Sequence, residues 1–402
     1  MTLRSTSSVT LIVTLVLATA LGPLAMSAFI PAIPFIQSHF AVSTTTAQLT
    51  LTLSMLAMAF ASLGYGGLAD RYGRKPVLVG GVAVAVAGSL VCAAATSVWL
   101  VIAGRILQSA GASAGLVITR VIVRDVYGDE ESVSVLAHIT AAMAIAPLVG
   151  PIVGGYVIDY FGWRVLFVAV ALLAALVMGL LAMRLPETRP AGASPARGGH
   201  DFAAAPYLAL LAHLPYVRYA VYGAMMQGVF VAFIGGAPYV ATEVFEMSAA
   251  SYGWHFMVAP IGYLIGSLIA GRYGNRFSRE PLLKAGAWLA VLVCALALWM
   301  SAQPWFGPWS FFMPMCVLSC VIGVVFPSAQ VGLLISGGEQ SGAASGLFSF
   351  VQLAAGAVLA QIVGALLDVG PVAVSGVMTA AAVTALVAMT MRPRAQPLHT
   401  RS

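Results

Sequence analysis

Twelve apolar stretches, each long enough to cross a bilayer as a helix, run through this chain and leave little else to fold. A spanning helix needs about 20 mostly apolar residues. The stretches lie near 9–33, 46–66, 77–97, 99–119, 136–158, 164–184, 217–239, 252–271, 284–301, 309–332, 343–366 and 371–391. Only 8% of the 402 residues are charged and 60% are hydrophobic, so a soluble fold would lack the polar surface to cover its core. Disorder and a disulfide-stapled module are excluded by the same composition. Continuous runs, rather than ~10-residue alternating segments, exclude a transmembrane barrel. The expected fold class is an all-α membrane protein with twelve transmembrane helices. Arg4 ahead of the first run imitates a secretory signal, but that run continues through Pro23 to Ile30 and eleven more follow. It is read as the first span.

Charge orients the chain. With both termini cytoplasmic, the inside segments carry Arg4, Arg71, Arg74, Lys75, Arg120, Arg124, Arg184, Arg189, Arg197, Arg218, Arg272, Arg276, Arg279, Lys284, Arg392, Arg394 and Arg401, which is 17 of the 19 Lys and Arg. Arg164 falls outside and Arg105 inside a span. This is the positive-inside pattern. The net charge of +6 therefore needs no nucleic-acid partner, because basic loops face anionic lipid. Cys316 and Cys320 share a helix face at i, i+4, but an apolar span supplies no further ligands for a metal.

The chain divides near its middle. Residues 185–216, rich in Pro, Gly, Ala and Ser, read as a flexible cytoplasmic linker between a bundle at 1–184 and another at 217–402, six spans each. Leu68-Ala69-Asp70-Arg71-Tyr72-Gly73-Arg74 ends the second span, and Ile269-Ala270-Gly271-Arg272-Tyr273-Gly274-Asn275 ends the eighth, 201 residues later. Matching residues at matching topological places indicate a duplicated, pseudo-symmetric pair of six-helix bundles, an architecture of transporters.

Gly66-Gly67-Leu68-Ala69-Asp70-Arg71-Tyr72-Gly73-Arg74-Lys75-Pro76 resembles the signature loop between helices 2 and 3 of the major facilitator superfamily, G-x-L-A-D-R-x-G-R-K. Physically, Gly73 makes a tight turn and Asp70 sits among Arg71, Arg74 and Lys75. Asp70 is placed to accept from Arg71 or Arg74, or to face the N-terminus of helix 11 near Ser341-Gly342 as a gating latch. A purely topogenic basic loop is the alternative. Gly271 replaces the aspartate in the second copy, so the latch is one-sided.

Arg105 lies within the fourth span, followed by Gln108, in a segment that resembles the family's helix-4 motif R-x-x-Q-G-x-G with Ser109 for the first glycine. A guanidinium at membrane depth is costly unless it meets a cavity or partner, so it marks function by default. Gly150, Pro151, Gly154 and Gly155 in the fifth span resemble the antiporter motif G-P-x-x-G-G. Their side-chain-free surface is expected to pack across the bundles on Gly262 and Gly266 of the eighth span.

Ala25 to Pro34, Val123 to Tyr127 and Gly236 to Val240 resemble the bicyclomycin/chloramphenicol-resistance (Bcr/CflA) branch of drug exporters. That resemblance implies export of small drug-like molecules from a bacterial inner membrane in exchange for protons, by a monomer without cofactors. Export of a sugar or amino-acid derivative is the alternative, and nothing suggests an enzyme. Relatives carry an aspartate where this chain has Ser27. None of the thirteen acidic residues lies mid-span, so the proton is implied by resemblance alone, with His138 and His255 the titrating groups nearest depth. With Arg105 the only fixed interior charge, the expected substrate is neutral or weakly anionic. Ser27, Met26, Phe29, Gln227, Phe230, Phe233 and Phe348 are the expected cavity wall, a Met-rich aromatic surface suited to promiscuous binding and equally ordinary as lipid-facing residues.

Overall fold

The computed structural model describes residues 7–143, 145–188, 204–273, 276–338 and 341–391. Arg4, residues 189–203, Gly274, Asn275, Glu339 and the tail beyond Met391 lie outside the described residues, as do the side chains of His138 and Ser341. Every regular element among the described residues is helical, because lipid offers backbone groups no partner outside their own segment. The α-helices are α1 (Ser7–Phe29), α2 (Ile33–Phe40), α3 (Thr44–Tyr72), α4 (Arg74–Ala93), α5 (Val98–Met143), α6 (Ile145–Phe161), α7 (Trp163–Arg184), α8 (Ala204–Ala212), α9 (Leu214–Tyr239), α10 (Ala249–Phe256), α11 (Val258–Tyr273), α12 (Arg279–Ser301), α13 (Pro308–Gly337), α14 (Ser341–Leu366) and α15 (Pro371–Thr390).

Among the described residues, eleven helical stretches are long and apolar enough to cross a membrane. Residue 144, within the expected fifth span, lies outside the described residues, and the helix described beyond it is the 17-residue Ile145–Phe161. Gly128, at φ +70°, breaks α5 and separates the fourth span from the start of the fifth. The first span bends through a 3-10 turn at Ile30–Ala32 and continues as α2.

The helices run further than hydropathy indicates. The signature segment from Gly66 to Tyr72 is not a loop but the last two turns of α3, and Gly73 alone, at φ +100°, separates it from α4. Only glycine adopts that backbone without penalty. The expected flexible linker is likewise shorter: α8 occupies its last third and α9 starts at Leu214. The reason is the apolar run Ala204–Ala212, whose Leu210 buries with Tyr216, Ala220 and Phe348.

Helices α1 and α3–α7 pack on one another, as do α9 and α11–α15; α3 meets α14 and α6 meets α10 across the two halves. In lipid, close backbone approach replaces the hydrophobic drive for such packing. Gly262 and Gly266 do not face α6 as expected. A Cβ on either would lie 2.1 Å from the Cys316 carbonyl oxygen or 2.0 Å from that of Cys320, so both press α11 onto α13 within the second half. Gly323 answers them from α13, its Cβ position 2.4 Å from the Tyr263 oxygen. The antiporter-like glycines also divide. Gly150 and Gly154 seat α6 on α1, with Cβ positions 2.1 Å from Ser27 Oγ and 2.2 Å from the Ala28 oxygen. Gly155 faces the second half, 2.3 Å from the Ala249 oxygen, and Gly253 of α10 returns the contact 2.5 Å from that of Pro151.

Gly262 and Gly266 therefore carry more weight than Gly271, the third glycine of α11, around which nothing lies within 4 Å. Gly262→Leu is expected to destabilise the purified protein by about 1–3 kcal/mol through overpacking, visible as a lower melting temperature in detergent. Gly271→Leu is expected to melt with the parent.

Candidate functional site

Arg105 is 1% exposed on α5, two turns from the helix start, and Gln108 one turn on is equally buried. The i, i+3 spacing puts them on one face. Arg105 Nη1 donates to Gln108 Oε1. Gln108 Nε2 donates to Ser89 Oγ of α4 at 2.7 Å, and the Ser89 hydroxyl donates to the Ala85 carbonyl at 2.8 Å. Glycines bring α4 and α5 close enough for this chain: a Cβ on Gly88 would lie 2.4 Å from the Gln108 nitrogen, and one on Gly104 2.8 Å from the Gly88 oxygen. The Phe29 ring, at the end of α1, lies over the guanidinium with its centroid 4.0 Å from Cζ, a cation–π contact strengthened by desolvation. Among the described residues, Arg105 Nε and Nη2 have no hydrogen-bond partner. Sequence reading found Arg105 and Gln108 but missed Ser89, a small polar residue unremarkable in an apolar span.

The other expected wall residues scatter. Ser27 turns away from Arg105: its hydroxyl lies 3.0 Å from the Ala146 oxygen and 3.2 Å from that of Leu24, in the α1–α6 seam. Met26 is half-buried against the main core cluster. On α9, Gln227 and Phe230 are half-buried, and Phe230 meets Phe256 at 6.2 Å. Phe233 is buried among Phe256, Phe311 and Phe312. Phe348 belongs to a separate cluster with Leu210 and Tyr216. The structure thus gathers Arg105, Gln108 and Phe29; Met26, Phe230 and Phe233 share the core cluster of Phe29, whereas Phe348 belongs to another and Ser27 is bound in the α1–α6 seam.

At the linker end of the helices, Arg74 is the hub of the signature segment. It pairs with Asp70 at 2.9 Å and with Asp125 at 3.1 Å, and donates to the Ala69 carbonyl at 2.9 Å. Glu187, just past α7, accepts from the backbone nitrogens of Arg74 and Lys75 at 2.9 and 3.3 Å. A carboxylate at the positive end of α4 is favourable. Arg71 lies over the Tyr72 ring at 5.1 Å. Gly66 has nothing within 4 Å of its Cβ position.

At the opposite, far end, polar contacts join the halves. Asp159 at the end of α6 accepts from the Ala249 and Ala250 nitrogens at 3.0 and 2.8 Å, capping α10. Trp254 Nε1 donates to the Tyr156 hydroxyl at 3.3 Å. Gln361 of α14 accepts from Thr52 and donates to the Thr45 carbonyl, each at 3.0 Å. Of these side chains only Asp159 lies outside the expected spans; Tyr156, Trp254, Thr52 and Gln361 lie within them, where hydropathy gives no sign of a cross-half contact.

The linker-end network predicts an order of effects. Arg74 is 12% exposed and Asp70 51%, and an exposed pair contributes at most ~1 kcal/mol. Arg74→Ala is expected to raise amide hydrogen exchange around Gly73 several-fold, and Asp70→Asn to raise it less.

Residues 15–360 match the sequence profile of the Major Facilitator Superfamily. The chain is 26% identical over 364 residues to the bicyclomycin resistance protein homolog of Haemophilus influenzae, covering 88% of this chain and 89% of that one. It is 26% identical to multidrug resistance protein D of Escherichia coli, covering 88% of each. Its fold superposes on the crystal structure of the nucleoside transporter NupG with a TM-score of 0.75, at 14% identity, over 94% of this chain and 98% of that one. The chain belongs to the Major Facilitator Superfamily.

Proposed function

We propose that this chain is a secondary active transporter that exports small drug-like molecules by alternating access between two six-helix bundles, 1–184 and 217–402. The observation that carries the reading is a contrast in packing. Within each half, backbones touch through many glycines along the helices; across the far end they touch at Gly155 and Gly253, and the halves are otherwise joined by hydrogen bonds of Asp159, Gln361 and Trp254. Close backbone packing moves as a rigid body, and exposed polar contacts break and re-form at low cost. Among the described residues, Arg71, Arg74, Lys75, Arg120, Arg124, Arg184 and Arg272 lie at the linker end and Arg164 at the far end, which supports a cytoplasmic linker and termini in a bacterial inner membrane.

The substrate is neutral or weakly anionic. Arg105 is buried, no carboxylate pairs with it among the described residues, and Ser27 is engaged by α6. A permanent cation would meet an uncompensated positive charge in a low-dielectric site. The coupling ion is a proton, supported by the kinship with resistance proteins. The described carboxylates Asp70, Asp125 and Asp159 stand at helix ends.

In everted membrane vesicles energised with a proton gradient, the chain is expected to accumulate a neutral phenicol at several times the rate for ethidium. Collapse of the gradient should stop it. Equal rates for the two compounds would contradict the charge argument, and uptake of neither, with the chain inserted, would contradict drug export.

A further inference from the structure

Three donors and acceptors around Arg105 fix one another's direction. The Ser89 hydroxyl spends its hydrogen on the Ala85 carbonyl, so its oxygen is left to accept, and it accepts from Gln108 Nε2. With that nitrogen held on α4, the amide oxygen must face Arg105, where Nη1 donates to it. A reversed amide would set its NH2 against the guanidinium, donor against donor. Ser89 is fully buried, so no water substitutes for it at the surface.

With Nη1 engaged and Phe29 over one face, the guanidinium keeps one edge, formed by Nε and Nη2, without a protein partner. Parallel N–H groups on one guanidinium edge match the two oxygens of a carboxylate. A carboxylate also neutralises a buried cation that no protein carboxylate pairs with; a neutral carbonyl satisfies a donor and leaves the charge. We propose that Ser89 is a positioning residue of this site: it locks the Gln108 amide so that Arg105 holds its Nε–Nη2 edge for a carboxylate on the transported molecule. The proposal rests on the exporter reading above and adds that, among its neutral or weakly anionic substrates, those with a carboxylate are the ones this edge binds.

Both edge nitrogens are sealed from solvent while the far end is closed. The ligand therefore reaches them in a conformer where the end of α1 has moved. The helix is weakest there, since Phe29 is followed by the 3-10 turn at Ile30–Ala32 with Pro31 in it. A ligand that binds such a conformer draws the population toward it.

The test uses the full chain, purified in detergent, with benzoate and its neutral isostere benzamide as probes and the melting temperature as readout. Benzoate is expected to raise the melting temperature and benzamide to leave it unchanged. Ser89→Ala should need about tenfold more benzoate for the same shift, the equivalent of one lost hydrogen bond, and Ser89→Thr, which keeps the hydroxyl, should respond like the parent. Gln108→Glu supplies a protein carboxylate to Arg105 and should abolish the benzoate response while still melting cooperatively. Equal shifts by the two probes, a benzoate response unchanged in Gln108→Glu, or an equal loss in Ser89→Ala and Ser89→Thr would each overturn the proposal. Phenicol export, measured separately, distinguishes the two readings: its presence with no benzoate selectivity removes the role of Ser89 and leaves the exporter, and its absence removes the exporter reading itself.

Discussion

Lipid gives apolar side chains no reason to leave it, so the contacts that hold these helices together are made where side chains are smallest. Gly88, Gly104 and Gly111 bring α4 onto α5, Gly115 brings α5 onto α1, Gly150 and Gly154 bring α6 onto α1, and Gly262, Gly266 and Gly323 join α11 to α13. The polar chain around Arg105 depends on that closeness. Gln108 reaches Ser89 because the α4 and α5 backbones touch at Gly88 and Gly104. Without the approach, the Gln108 amide would have no Ser89 hydroxyl to hold it, and Arg105 no α4 wall to be buried against.

Two carboxylates perform the same physical act in different settings. Glu187 accepts from the first backbone nitrogens of α4 and ties the linker to the signature segment inside one half. Asp159 accepts from the first nitrogens of α10 and ties one half to the other. Each places negative charge at a helix N-terminus, where it is stabilised by the unpaired N–H groups. The first arrangement holds a turn in shape. The second is a contact that has to part whenever the far end opens.

Much of the fold was legible in the sequence because hydropathy and charge report on the solvent directly: apolar length marks the spans, and the basic residues mark one end. What hydropathy does not report is where a helix stops inside a polar segment. The last turns of α3 carry Gly66, Asp70 and Arg71 and still form helix, since only Gly73 has a backbone no other residue adopts readily. Helix partners were legible only in part. A run of glycines says that some backbone comes close, not which one, and so Gly262 and Gly266 proved to face α13 while Gly155 alone of the three α6 glycines faces the other half. In the site, Arg105 announced itself by its cost in an apolar span. Ser89 did not, because a serine hydroxyl is cheap to bury against its own helix and only three-dimensional placement gives it a second partner.

The central claim is that the halves rock as rigid bodies, so that the contacts at the far end part as the linker end closes, and the reverse. The most direct measurement is a pair of spin-label distances in liposomes, one pair across the far end on α6 and α10, the other across the linker end on α3 and α14. On adding a transported phenicol or imposing a proton gradient, the account predicts that one distance lengthens as the other shortens. Distances that stay fixed, or that lengthen together, would contradict it.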